Sequence, residues 1–333
     1  MKNIFSSILL FLALLMGTTV QACDICGCFM GITPYDNQSS IGIMHRYRSF
    51  SGYKYLGQQP QFFPARAGIF SPATDKITDN NFSHKGNPTD YEAYRVTELR
   101  GKYFIHKRIE LNALIPFLQN TTQYNQNRVT LSGVGDINIF AGVHVLRQIE
   151  VAGVQQRLIV GGGIKLPTGH YYRQNAEGVR YPLLYQTGTG STDYFGYLNY
   201  IASYKKIGFS LNTSYKLNGE NFYHEGLANS TATFANLFYR LHLNDNWNIN
   251  PSAQLFYEYT KGETYKGEVT GEHQMNNALL GPGLDIYYKN LGLNISAQFP
   301  IYEAATDHPV SAGRLVVGLS YNFNQTKYLI GSK

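Results

Sequence analysis

Gly313-Arg-Leu-Val-Val-Gly-Leu-Ser-Tyr-Asn-Phe323 is the stretch whose reading decides the fold. Successive side chains of an extended chain point to opposite sides, so Leu315, Val317, Leu319, Tyr321 and Phe323 share one face and Arg314, Gly318, Ser320 and Asn322 the other. Only Val316 interrupts the pattern. A continuous apolar face ending in aromatics, backed by a polar or small face, suits a wall between hydrocarbon and a wet interior. The stretch reads as the closing strand of a membrane β-barrel.

The same period-two alternation recurs along the chain in about twelve segments, close to the ~10 residues that a tilted spanning strand needs. They are Ile41–Phe50, Glu92–Ile105, Ile109–Leu118, Gly135–Arg147, Gln156–Leu166, Thr192–Tyr204, Ile207–Asn218, Ser230–His242, Asn248–Tyr259, Asn277–Tyr288, Leu291–Pro300 and Gly313–Phe323. The connections alternate as well. His106-Lys107-Arg108, Lys205-Lys206, Asn244-Asp245-Asn246 and Lys289-Asn290 are short and Gln148–Gln155 somewhat longer, whereas Ser51–Tyr91, Gln119–Val134, Pro167–Ser191, Gly219–Asn229, Thr260–Asn276 and Ile301–Ala312 are long and polar. Short periplasmic turns, long extracellular loops and an even strand count belong to bacterial outer-membrane barrels. The expected fold is therefore all-β, a transmembrane antiparallel up-and-down barrel of about twelve strands with both termini in the periplasm. Pro282 cannot donate to a ladder and predicts a bulge. The first strand alternates poorly, with Arg46 and Arg48 on one face and His45 on the other.

Composition agrees with a barrel. Tyr 27, Phe 19 and Gly 33 are high for 333 residues, and charged residues are only 15%. A slightly negative mean hydropathy is no objection, because only every second residue of a spanning strand meets lipid. Residues 1–22 carry a basic start, a short apolar run and Val20-Gln21-Ala22, the layout of a secretory signal. That divides the chain into a signal peptide (1–22), a periplasmic Cys-containing segment (23–40), the barrel (41–323) and a periplasmic tail (324–333). The net charge of +6 comes without a basic run or nucleic-acid module, so nucleic acid is not an expected partner. Outer-membrane lipid, a small solute and, through the closing strand, the barrel-assembly machinery are.

Three stretches carry a further signal: Gly133-Val-Gly-Asp-Ile-Asn-Ile-Phe-Ala-Gly142, Gly161-Gly-Gly-Ile-Lys-Leu-Pro-Thr-Gly169 and Gln186-Thr-Gly-Thr-Gly-Ser-Thr-Asp193. Their order and spacing resemble the outer-membrane barrel family labelled "MetA-pathway of phenol degradation", and Cys23-Asp-Ile-Cys-Gly-Cys28 looks like the N-terminal signature of a Bacteroidetes-type branch of it. The resemblance implies a barrel that passes small, hydrophobic molecules. Read physically, Gly161, Gly162 and Gly163 strip side chains from both faces of a strand where the wall is crowded or bent.

On this register Arg100, Asp136, His144, Lys165, Asp193, Lys216, Arg240 and Asp285 face the lumen, with Arg157 and His242 beside them. Asp136, Asp193, Lys165 and Arg157 either pair with one another in the wall or form a solute-selecting ring. No nucleophile motif accompanies the histidines, so no enzyme is expected and no catalytic residue is assigned. His170, Tyr171 and Tyr172 belong to an outer loop. Ser51–Tyr91 is long enough to fold outward or to plug the lumen.

The three cysteines, Cys23, Cys26 and Cys28, leave an odd thiol in an oxidising compartment. Lipidation of Cys23, a Cys26–Cys28 disulfide, and a thiolate site for copper or zinc all stay open. Haem is not indicated, since Gly27 stands where His would follow. Two functions follow: passage of a small solute across the outer membrane, or metal handling by the cysteine segment on a barrel platform.

Overall fold

The structure, a computed structural model, describes residues 38–53, 61–62, 91–124, 127–151, 153–270, 274–304 and 309–324. Twelve strands wall a closed barrel: β1 (Gln38–Tyr53), β2 (Tyr91–His106), β3 (Ile109–Tyr124), β4 (Ile137–Val151), β5 (Val154–Leu166), β6 (Asp193–Tyr204), β7 (Ile207–Leu217), β8 (Ser230–Tyr239), β9 (Trp247–Thr260), β10 (Met275–Tyr288), β11 (Leu291–Glu303) and β12 (Pro309–Asn324). Each pairs antiparallel with its neighbours in chain order, and β12 closes on β1 with Gln38 opposite Asn324 and Met44 opposite Gly318. Closure leaves no sheet edge, the condition hydrocarbon imposes on a spanning sheet. Both ends of the wall, Gln38 and Asn324, lie at the end of the barrel that carries the short turns.

Sidedness follows the alternation. On β12, Leu315 and Leu319 are 42% and 52% exposed, while Arg314 and Asn322, in the opposite phase, are buried. Val316, the interruption, is fully buried and faces inward. Outward-facing Tyr103, Tyr204, Tyr239, Trp247, Tyr288 and Tyr321 ring the short-turn end. Such a girdle marks the level where ring and headgroup meet. Trp247 and Tyr288 pack across β9 and β10 as tilted rings with centroids 4.7 Å apart.

Three local features depart from the sequence reading. The bulge falls between Ala278 and Leu279, not at Pro282, while the ladder from β10 to β11 skips residues 281 and 282 because the proline has no N–H to donate. Gln119–Val134 is a hairpin, with β3 running to Tyr124 and pairing with a strand at Asn127–Val134. Gly135 and Asp136 break that returning strand before β4 resumes. β4 and β5 run on to Val151 and Val154, so the Gln148–Gln155 connection shrinks to residues 152–153. At the triple glycine the wall is crowded, as expected. A Cβ on Gly161 would lie 2.5 Å from the Tyr197 ring, and one on Gly163 would lie 2.5 Å from the Ile139 carbonyl and closer still to Phe140. The crowding thus comes from the Tyr197 ring, from the base of the Phe140 side chain and from carbonyls of the adjacent strand.

Candidate functional site: the barrel lumen and its plug

The inward face is not uniformly polar. Met44, Phe234, Phe256, Leu279 and Val316 form one buried apolar cluster on β1, β8, β9, β10 and β12. Leu114, Phe140, Ile159, Phe195 and Tyr197 form a second on β3 to β6. Phe140 packs edge-on against Phe195 and Tyr197, at 5.6 and 5.5 Å between centroids. On the short-turn side of these clusters lies a cavity of about 150 Å³. Met44, Leu114, Phe140 and Ile159 give it apolar walls, and Arg100, Lys102, Glu110, Asn112, Arg157 and Asn199 give it polar ones.

On the other side the lumen is charged. Lys165 Nζ lies 2.8 Å from carboxylate oxygens of both Asp136 and Asp193, and Lys216 Nζ 2.8 Å from Asp193. All four side chains are nearly sealed from solvent. Across the barrel, Arg46 and Arg100 converge on Glu98 at 3.6 and 2.5 Å, Arg48 pairs with Glu258, and Arg314 donates to Gln298 at 2.7 Å. Arg314 also lies 4.3 Å above the Phe256 ring, joining the charged layer to the apolar one. A buried charge is tolerable only when paired, and here the partners come from the same or adjacent strands, except for Arg48 on β1, whose partner Glu258 stands across the lumen on β9.

Asp136 is where the three glycine-rich stretches meet. Its Oδ1 accepts from the Gly169 backbone N–H at 2.9 Å, and its Oδ2 from the Thr189 N–H and hydroxyl at 2.9 and 3.0 Å. Ser191 donates to Asp193 at 2.8 Å, and Thr189 also touches Lys165. Thr168 accepts from the Ile137 N–H and donates to the Gly135 carbonyl. Gly169 and Gly188 press backbone to backbone, where a Cβ on Gly188 would stand 2.5 Å from the Gly169 carbonyl carbon. Both ends of the 167–192 connection are thereby pinned to the barrel wall.

Pinned at its base, that connection folds over the lumen as a plug. Its 3-10 turn Leu183–Tyr185 buries Leu183 and Leu184. Asn120 donates to the Tyr185 and Gln186 carbonyls at 3.2 and 3.0 Å, Tyr185 donates to Glu92 at 2.9 Å, and the Leu184 N–H reaches Glu263 at 3.2 Å. Outside it, Arg180 makes a two-pronged pair with Glu225 at 2.6 and 2.7 Å and covers the Tyr223 ring at 3.8 Å. Those bonds to Glu225 hold the Arg180 guanidinium above its ordinary range. Glu225 belongs to a small sheet of Glu225–Leu227, Glu263–Tyr265 and Glu268–Val269 above the barrel mouth.

Of the residues singled out in the sequence, Asp136, Lys165, Asp193 and Lys216 come together, and the first three are the core of the plug mount. His144 is fully buried, its Nε2 3.1 Å from Glu110 and its ring edge-on to Phe104. Asp285 is buried and bonded to Asn294. Arg100 lines the cavity with Arg157. Arg240 is instead at the short-turn rim, donating to Gln155, Ser203 and the Lys205 carbonyl, and His242 is exposed there, 2.7 Å from Asn248. Inward phase does not place a residue in the lumen once the strand has passed the rim. His170, Tyr171 and Tyr172 sit in the 167–192 connection as edge-packed rings. Glu98, Glu258 and Arg314 were not singled out, although each is a charge in the inward phase of its strand. Cys23, Cys26 and Cys28, residues 1–22 and most of the Ser51–Tyr91 segment lie outside the described residues. The plug that is described comes from a different connection.

A sequence model described as "Putative MetA-pathway of phenol degradation" matches residues 85–317, a span that holds the cavity's β2–β6 walls and all three glycine-rich stretches. The chain belongs to this family. Among solved structures, an outer membrane channel from Pseudomonas putida F1 is 13% identical, with 88% of this chain and 100% of that chain covered at a TM-score of 0.59. The β domain of the Bordetella autotransporter BrkA is 9% identical, covering 86% of this chain and 100% of that one at 0.46. No curated protein sequence matches the chain. The fold is thus that of an outer-membrane barrel, and the glycine-rich stretches inside the matched span build the plug mount of this chain. The metal-handling alternative gains no support: the matched span excludes the cysteines, and among the described residues no group of three or more His, Cys, Asp or Glu is placed to hold an ion.

Proposed function

We propose that this protein is a passive channel for a small solute with an apolar body, entering through the plugged mouth and leaving past the short-turn end. The observation that carries this reading is the pair of inward apolar clusters between cavity and charged layer. A general aqueous pore has no use for five buried rings and aliphatic chains facing its axis, since they repel hydrated solutes and offer contact only to apolar ones. The charged residues support the plug and the wall, so Asp136, Lys165, Asp193 and Lys216 act as positioning residues. Both ends of the wall meet at the short-turn end, which supports periplasmic termini, because outer-membrane barrels keep their short turns there. The barrel works as a conduit and not as an enzyme. The family name and the Pseudomonas putida channel's description point the same way.

Initial uptake of a radiolabelled monocyclic aromatic tests the reading in intact cells carrying or lacking the protein, with a sugar of similar mass as control. The protein is expected to speed uptake of the ring compound and leave the sugar unchanged. Equal uptake in both strains would overturn the proposal.

A further inference from the structure

We infer that the lipid-facing side of β1 and β2, toward the long-loop end of the barrel, is a binding site for a phosphorylated glycolipid, whose phosphate is held by Arg95 and His45. The site lies outside the wall and is independent of what passes through the lumen. The outer wall is otherwise uncharged. Among the described residues above the short-turn girdle, Arg95 is the only Lys, Arg, Asp or Glu in the outward phase of a wall strand. Glu92 and Glu98 on β2 and Glu110 on β3 take the opposite phase and are buried. A cation on the lipid face costs stability at the depth of the hydrocarbon and little at the level of the headgroups, where an anion can meet it.

Strand pairing brings the two donors together. Tyr47 stands opposite Arg95, and His45 opposite Thr97. Diagonal neighbours across an antiparallel pair lie about 7–8 Å apart, so Arg95 and His45 can close on one phosphate. The Arg95 guanidinium rests over the Tyr47 ring, 5.2 Å from its centre. A guanidinium lying on a ring keeps its N–H edge free for the two-pronged contact that phosphate accepts. His45 Nδ1 is 2.9 Å from the Thr97 hydroxyl. With that hydroxyl donating to Nδ1, the ring hydrogen sits on Nε2, a second donor facing out of the wall. Neither Arg95 nor His45 meets a carboxylate among the described residues.

The surroundings match a lipid from tail to head. On the short-turn side of the pair, Ile43 and Leu99 stand opposite each other, 50% and 47% exposed. On the other side the outward phase turns polar, with Gln119 and Thr121 on β3 facing Ser132 and Thr130 on the strand that returns from it. Thr121 and Thr130 bond to each other at 3.2 Å, and exposed Arg128 stands further along the same hairpin. On β6 and β7 the outward face at this end carries the rings Tyr194 and Tyr215 instead. Acyl chains against Ile43 and Leu99, a phosphate at Arg95 and sugar hydroxyls against the polar hairpin follow the order of groups along a phosphorylated glycolipid. A plain phospholipid has no sugar to meet the upper part.

Native mass spectrometry of the purified full chain in neutral detergent tests the site. The probes are lipid A, which is a phosphorylated and acylated glucosamine disaccharide, the same lipid stripped of phosphate, and phosphatidylglycerol. Lipid A is expected to bind roughly tenfold or more tightly than its phosphate-free form, the worth of one charge-assisted contact, and more tightly than phosphatidylglycerol. Arg95→Gln should abolish the preference for phosphate, and His45→Phe should weaken it. Lys205→Gln, a cation at the short-turn rim, should leave it unchanged. Heat-modifiable gel migration shows that each variant is folded. A preference that survives Arg95→Gln, or one that Lys205→Gln reduces as much, would overturn the assignment. Phosphatidylglycerol binding as tightly as lipid A would overturn the choice of a glycolipid. Barrel dimers that Arg95→Gln abolishes would make this face a contact between copies and not a lipid site.

Discussion

Asp136 shows how much one side chain can organise. Its two oxygens receive two backbone N–H groups, a hydroxyl and an ammonium, from residues 29 to 53 positions away. Asp136→Asn keeps the volume but removes one of the two carboxylates that neutralise Lys165, leaving Asp193 shared between two lysines, and breaking a buried pair in this way costs about 3–5 kcal/mol. The expected outcome is a lower denaturant midpoint, together with new tryptic cleavage at Arg173 or Arg180 in a chain still inserted in its membrane. Protection of both arginines in the variant would mean that the mount does not hold the plug. Leu279 offers the contrasting case. It is fully buried in the lumen cluster, so Leu279→Ala should cost about 2–5 kcal/mol through the hole it leaves. Outward Leu319→Ala should cost far less, since lipid chains refill the space and are as apolar as leucine. Equal losses in denaturant unfolding would contradict the inward placement of Leu279. The sequence marked Asp136, Lys165 and Asp193 as inward, because phase along a strand is enough for that. It could not say that Asp136 reaches Thr189, since a contact between a wall strand and an irregular loop has no period to read.

The elements differ in how they announce themselves. Strands such as β3 advertise both faces, with Leu111, Ile115 and Phe117 outward and Glu110, Asn112 and Leu114 inward. The plug has no such rhythm. Its placement depends on Gly169 and Gly188 touching, on the aspartate they surround, and on Leu183 and Leu184 finding an apolar seat. Gly188→Ala puts a methyl where the Gly169 backbone already stands and should displace the plug. Planar-bilayer recording reads the result: single-channel conductance is expected to rise well above that of the unaltered protein. An unchanged conductance would show that the plug is not what narrows the mouth. Register also explains the poor alternation of β1. Arg46 and Arg48 do face the lumen, where Glu98 and Glu258 receive them, and His45 faces outward, bonded to Thr97 at 2.9 Å.

At the scale of the whole molecule, the barrel separates two solvents. Outside, apolar residues rise from the aromatic girdle at the short-turn end; inside, a cavity, an apolar belt, a charged layer and a plug follow one another along the axis. Position along that axis sets the cost of a charge on the outer face. Val317→Arg, midway along β12, should cost about 2–4 kcal/mol, and Tyr321→Arg, at the girdle, about 0–1 kcal/mol. Unfolding of both variants from lipid micelles checks the gradient, and equal costs would misplace the membrane on the barrel. The sequence by itself determined the strand count, the two faces of each strand and the order of short and long connections, because alternation along an extended backbone is a local property carried by neighbouring residues. Which charges meet, which connection enters the lumen and whether the interior is open were decided only by the tertiary structure. Closing the sheet staggers each strand against the next, and that stagger alone brings Lys165 to the level of Asp136, Asp193 and Lys216, and sets Val316 among rings from strands far along the chain.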